Sequence, residues 1–104
     1  MPGIGTDITS GFVRLHILHH ASKQPLTGAW MRMELAEHGY HISLGTLYPM
    51  LRSMEESGYL ASKNCQEGRR RSREYSITRK GRLALQVASK KLCELYSEVI
   101  KEKN

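Results

Sequence analysis

The chain has 104 residues, room for one small domain and too few for a large multi-domain enzyme. Hydrophobic residues make up 39% and charged residues 25%, the balance of a folding globular chain rather than of a disordered one. Sixteen Lys and Arg against ten Asp and Glu give a net charge of +6, which favours a polyanionic partner.

The segment Met1 to Ile8 lacks the basic and apolar regions of an export signal, and no run of about 18 apolar residues is present to span a bilayer. Two cysteines, Cys65 and Cys93, are too few for a disulfide framework. A cytoplasmic chain with no membrane contact is expected.

A first helix is expected from a cap at Thr6 or Asp7 to about Ala21, with Ile8, Phe12, Leu15 and Leu18 at helical spacing. It carries His16, His19 and His20, an H-x-x-H-H cluster whose spacing suits two imidazoles on one metal. No carboxylate or cysteine stands beside them in sequence. Histidines facing solvent or a neighbouring subunit are the plainer reading, and neither a metal centre nor a cofactor is expected.

Gln24-Pro25-Leu26 ends this helix, and Thr27 caps a short second one with Met31 and Leu35 inward, closing near Gly39. Trp30 and Met33 offer a flat ring and a flexible thioether, the chemistry of an effector pocket for a planar apolar ligand. Core or interface packing is the competing role for them.

After Tyr40-His41-Ile42, Ser43 caps a third helix with Leu44, Leu47, Leu51 and Met54 as a one-sided apolar stripe. The opposite side presents Ser43, Gly45, Thr46, Pro49, Arg52 and Ser53, with no acid until Glu55, so that face can approach a phosphate-lined groove. Pro49 requires that the helix start near Gly45 or be distorted there. Ser43, Thr46, Tyr48, Pro49 and Arg52 are the candidate contacts to bases or backbone. Arg52 can fork onto guanine O6 and N7, and Thr46 can touch a thymine methyl. For Arg52 the alternative is an ion pair with Glu55 or Glu56; for Tyr48 it is packing in the core.

Gly58 closes that helix, and two short strands follow, Tyr59 to Asn64 and Arg73 to Ile77, separated by Cys65-Gln66-Glu67-Gly68 and three arginines. A lone hairpin is marginal in water, so this one must lie against the helices with its tip as a basic finger. Residues 62–82 hold eight of the sixteen cations and two of the ten acids, so this stretch carries the whole net charge. Lys63, Arg69, Arg70, Arg71 and Arg73 are therefore the candidate phosphate contacts. Cys65, beside the arginines, would act as a redox switch if its thiol pKa were lowered; an incidental cysteine is the alternative.

Thr78 caps a last helix reaching about Lys103, a length of about 39 Å at about 1.5 Å per residue. Leu85, Ala88, Leu92, Leu95 and Val99 form a heptad seam longer than the body of the domain can cover, which points to a homodimer. Ile8 and Phe12 are assigned to the same interface. The order of elements is that of a winged helix-turn-helix, mainly α with a small β-hairpin, in which the third helix enters the major groove. Residues 1–80 make the winged-helix unit and 78–104 the dimerisation helix.

The runs Ser43-Leu44-Gly45-Thr46-Leu47-Tyr48-Pro49-Met50-Leu51, Met54-Glu55-Glu56-Ser57-Gly58-Tyr59-Leu60 and Tyr75-Ser76-Ile77-Thr78-Arg79-Lys80-Gly81 resemble the PadR family of bacterial transcriptional regulators. The likeness covers Leu15 to Leu85. It implies a dimeric repressor of its own or a neighbouring promoter, released in some members by a small effector. Thr46, Tyr48 and Pro49 match the family's recognition helix, Arg69 to Arg73 its wing, and Gly28 the glycine that opens its second helix. Ala29 stands where the family usually has Tyr, and Trp30 where it is usually polar. The single C-terminal helix resembles the short type of member, without the tryptophan with which some of these hold flat drugs between subunits. The partners so implied are double-stranded DNA with an inverted repeat, a second copy of the chain, and a small hydrophobic or aromatic effector.

An enzyme is disfavoured, since the only Asp is Asp7 and there is no G-x-S-x-G, Walker loop or C-x-x-C. No catalytic residues are assigned. A winged helix that binds protein or RNA without reading an operator is the rival class, and the G-T-L-Y-P run argues against it.

Overall fold

The computed structural model describes residues 6–101. Helix α1 (Thr6–Ala21) is followed by strand β1 (Leu26–Thr27), helices α2 (Gly28–Glu37) and α3 (Leu44–Glu56), strands β2 (Leu60–Glu67) and β3 (Arg70–Ile77), and helix α4 (Arg79–Tyr96). The predicted cap at Thr6 or Asp7 and the predicted helix end at Lys103 lie outside the residues whose side chains are described.

Side-chain oxygens punctuate the helices where their residue types suggest. Thr27 accepts from the backbone N–H of Trp30 at 3.1 Å, Ser43 from Thr46 at 3.2 Å, and Thr78 from Gly81 at 3.0 Å. Gly39, with φ +88°, closes α2 in the left-handed region. Helix α3 runs unbroken from Leu44 through Pro49, which gives up one backbone hydrogen bond towards Gly45 without ending the helix.

One core joins the elements: Val13, Ile17, Leu18 and Ala21 from α1, Leu26 from β1, Met31 and Leu35 from α2, Leu47, Leu51 and Met54 from α3, and Leu60 and Tyr75 from the sheet. Of the four apolar residues expected to bury α1, only Leu18 enters this core; Leu15 is half-buried, while Ile8 and Phe12 are 71% and 41% exposed. Helix α1 thus has two apolar faces, and the expected stripe traces the outer one.

The sheet departs from expectation in two ways. Leu26-Thr27, expected only as the last residue of the helix-ending Gln24-Pro25-Leu26 and the cap of α2, is also a third strand, antiparallel to β3 with Leu26 opposite Tyr75 and Thr27 opposite Glu74, giving the order β1-β3-β2. The hairpin strands also extend through the expected turn, because Cys65-Gln66-Glu67 pairs with Arg70-Arg71-Ser72. The true turn is Gly68-Arg69, and φ +61° at Gly68 meets the need of a tight hairpin for glycine at its first position.

Helix α4 leaves the sheet at a close approach. A Cβ on Gly81 would fall on the carbonyl oxygen of Tyr59 and 2.7 Å from Ile77 Cγ1, so only glycine fits there. After Tyr96 the helix widens into a π-helical turn, Ser97–Lys101. Val99 lies in that turn, off the regular spacing on which the heptad seam was drawn. Among the described residues no helix is long and apolar enough to cross a membrane.

Candidate nucleic-acid interface

Burial of Leu47, Leu51 and Met54 sets the rotation of α3 about its axis. Ser43, Gly45, Thr46, Pro49, Arg52 and Ser53 are all exposed as a result. Tyr48 is intermediate between its two expected roles, with 41% of its surface exposed. Its ring lies against Gly28, where a Cβ would come 2.6 Å from Tyr48 Cε1. The bare glycine at the start of α2 is what leaves room for this ring.

Facing α3 is one side of the β2–β3 hairpin, and the cleft between them encloses about 920 Å³. Tyr48, Arg52, Glu55, Arg71, Arg73 and Tyr75 are among its lining residues. Side chains alternate across a strand, so Arg71 and Arg73 share the face of buried Tyr75, whereas Arg70, Ser72 and Glu74 point the other way. The register then sorts the charges. On the cleft face Arg71 lies opposite Gln66 and Arg73 opposite Asn64, both neutral. On the outer face Arg70 lies opposite Glu67 and Lys63 opposite Glu74, so each cation there has a carboxylate across the strand, though neither pair closes to an ion pair among the described residues. Arg69 occupies the turn. The five wing candidates therefore form two populations rather than one patch.

Two cations of the basic stretch have structural partners. Arg73 Nη1 donates to Ser62 Oγ at 2.8 Å, and Ser62 Oγ donates to Glu55 Oε2 at 2.7 Å, a chain that ties the hairpin to α3. Lys80 Nζ donates to the carbonyl of Ser57 at 2.8 Å, satisfying the open C-terminal end of α3, and lies over the Tyr59 ring at 5.2 Å. Thr78 Oγ1 adds a bond to the Gly58 carbonyl at 2.6 Å. Ser62 is the positioning residue that sequence patterns do not mark. The alternative partners of Arg52 are not taken up: among the described residues the ion pairs are His20–Glu34, His38–Glu34 and Lys91–Glu94, and Glu55 is held by Ser62.

Residues 17–87 match the model of the transcriptional regulator PadR-like family. The chain belongs to that family. It is 47% identical over 88 residues to the transcriptional regulator Rv3488 of Mycobacterium tuberculosis, covering 85% of this chain and 82% of that protein. Among solved structures it is similar to a PadR family regulator from Eggerthella lenta, with a TM-score of 0.76, 26% identity and 97% and 93% of the two chains covered. The transcriptional regulator TA0346 from Thermoplasma acidophilum gives a TM-score of 0.81, with 28% identity and 92% and 93% covered. The chain is accordingly a transcriptional regulator and not an enzyme.

Away from the cleft, this PadR-like chain leaves a second surface uncovered. Leu92 and Leu95 of α4 are 46% and 50% exposed, and Val99 is 49% exposed. Phe12, Leu15, His19, Leu85, Ala88 and Leu92 border a groove of about 270 Å³ between α1 and α4. Of the seam, Leu85, Ala88 and Leu92 therefore adjoin Phe12, while Ile8 lies one turn further out on α1.

Trp30 and Met33 lie on the outer side of α2, 38% and 64% exposed, and neither lines the cleft or the groove. Desolvation in the sheet, followed by a hydrogen bond and charge repulsion from Glu74, pushes the Cys65 thiol up, the reverse of what a redox switch needs. The histidines also regroup. His16 and His19 both border the α1–α4 groove, while His16 and His20 also meet His38 at the end of α2, and His20 meets Glu34, the carboxylate partner that their sequence neighbourhood lacks.

Proposed function

We propose that this PadR-like regulator is a dimeric repressor that binds duplex DNA at an inverted repeat, α3 entering the major groove and the β2–β3 hairpin lying on the phosphate backbone. One observation carries this: Tyr48 and Arg52 of α3 border the same cleft as Arg71 and Arg73 of the hairpin, two arginines that lie opposite neutral residues across the strand pair. Ser43, Thr46, Tyr48, Pro49 and Arg52 read the site, and Lys63, Arg69, Arg70, Arg71 and Arg73 supply charge. Base contacts select sequence, whereas phosphate contacts add affinity to any duplex.

Residues 1–80 act as the reading unit, and residues 78–104 pair two copies through Leu85, Ala88, Leu92, Leu95 and Val99, with Ile8 and Phe12 from α1. Such a dimer holds its two α3 helices about 34 Å apart, one turn of DNA. It works in the cytoplasm and is released by a small hydrophobic or aromatic effector, for which the exposed Trp30 and Met33 supply an apolar surface. Gel shift and footprinting on DNA upstream of the chain's own gene test the reading. Two protected half-sites one helical turn apart support it, and absence of specific binding at low salt overturns it. A reporter on that promoter, rising when the gene is deleted, separates repressor from activator.

A further inference from the structure

We propose that His16, His20, Glu34 and His38 form a binding site for one divalent transition-metal ion of the zinc type, built between the C-terminal turns of α1 and α2. The ligand set is two pairs of residues at i and i+4, each pair on one face of its helix: His16 and His20 on α1, Glu34 and His38 at the end of α2. Packing of the two helices on the common core turns these faces together. A ring nitrogen from each of His16, His20 and His38 lies within 4.8 Å of the other two. Glu34 Oε2 stands 3.2 Å from His38 Nε2 and 3.5 Å from His20 Nε2.

Zinc–ligand bonds of about 2.0–2.1 Å in a tetrahedron put neighbouring ligand atoms about 3.3 Å apart. Of the three edges that run to the carboxylate, those from His38 and His20 already have about that length, and the edge from His16 must close with the ring. The widest nitrogen separation needs a closure of about 1.5 Å, within reach of imidazole rotation about χ1 and χ2. The rings are close neighbours, with centroids 4.7 Å apart for His16 and His38 and 6.2 Å for the nearly parallel rings of His16 and His20.

Three imidazoles and a carboxylate suit zinc, cobalt or nickel, and not magnesium or calcium, which take oxygen ligands. Burial and the neighbouring histidines lower the pKa of His16, and burial does the same for His20 against the pull of Glu34. Protons therefore compete less for these nitrogens at neutral pH. His38 is exposed and leaves a path for the ion. An outer layer steadies the rings: Tyr40 meets His16 edge-on at 5.5 Å, and Trp30 meets His20 edge-on at 5.6 Å. A bound ion would clamp α1 to α2.

The test uses the untagged full chain, stripped with a chelator and titrated with zinc chloride alone by calorimetry and with cobalt chloride by visible absorption. One ion per chain, the intense visible bands of tetrahedral cobalt and a change in emission of Trp30, the single tryptophan, are expected. His20→Ala and His38→Ala should each weaken zinc binding at least about ten-fold, while His19→Ala and His41→Ala bind like the parent. Thermal melts of the metal-free variants check that each still folds. No zinc binding at millimolar concentration, binding that survives a His16→Ala/His20→Ala double variant, or loss in His19→Ala would each overturn the site. All readouts are taken on free protein, so they stand apart from the outcome of any DNA experiment.

Discussion

Replacing Arg71 by Ala and, separately, Arg70 by Ala tests whether the strand register sorts the hairpin's charges as argued. Arg71 lies on the cleft face opposite neutral Gln66, and Arg70 lies on the other face opposite Glu67. Each phosphate neutralised contributes about −0.9 to the slope of log affinity against log salt, so a dimer that loses two Arg71 contacts has its slope flattened by about 1.8. Across a rise from about 50 to about 200 mM salt, that slope change is worth about 12-fold in affinity. Fluorescence anisotropy on a labelled duplex should therefore show Arg71→Ala losing about 12-fold less affinity than the parent over this range. The flattening should be the same on operator and random DNA. Arg70→Ala should change the salt response far less, because its side chain points away from the cleft and lies opposite Glu67. Equal flattening by both variants would refute the division into two faces.

Gly81→Ala should destabilise the fold by about 1–3 kcal/mol or more, since the new methyl meets the Tyr59 carbonyl; an unchanged melting temperature by circular dichroism would exclude that contact. Ser62→Ala removes the link from Arg73 to Glu55 at a cost of about 1–2 kcal/mol in stability or less, and should weaken operator binding without flattening the salt slope. Affinity equal to the parent's would deny Ser62 a positioning role. Leu92→Glu with Leu95→Glu should give monomers in sedimentation velocity, and an intact dimer would put the interface elsewhere.

What the sequence made legible was what local chemistry determines. Thr27, Ser43 and Thr78 are hydroxyl residues preceding apolar periodicity, and each caps a helix as its type suggests. Leu47, Leu51 and Met54 form a single-sided stripe on a helix whose other side is polar, so the exposed face of α3 followed from spacing alone. Strand β1 was not legible, because two residues contain no alternation and their partners, Tyr75 and Glu74, are far away in the sequence. The outer half of the hairpin was hidden for a related reason: Lys63 to Glu67 and Arg70 to Arg73 hold no apolar alternation, and it is register with each other that makes them strands. The same register divides the arginines, which a one-dimensional charge count merges. Gly28 and Tyr48 are twenty positions apart, so the missing side chain that seats the tyrosine is visible only once α2 and α3 meet.

The histidines show how far such hidden pairing changes meaning, and they lead back to α1. Its core face of Val13, Ile17 and Leu18 cannot rotate without exposing buried apolar surface, at about 25 cal/mol per Å². Its other sides are consequently held in place: Phe12, Leu15, His16 and His19 border the groove with α4, His16 and His20 meet His38 at the end of α2, and His20 meets Glu34. Helix α2 is in turn fixed to α3 where Tyr48 lies on Gly28. A partner at the groove and an ion at the histidines therefore bear on one rigid helix, and from there on the reading helix through the shared core and the glycine–tyrosine contact. An effect of either on DNA affinity requires only that it bind better to one setting of α1 against α2 than to another. If zinc at the histidines and an operator duplex are coupled in this way, Gly28→Ala should reduce the coupling while leaving the zinc affinity of free protein unchanged. Zinc affinity that falls in Gly28→Ala would mean that the substitution disturbs the α1–α2 packing itself, and the proposed route through Tyr48 would fail.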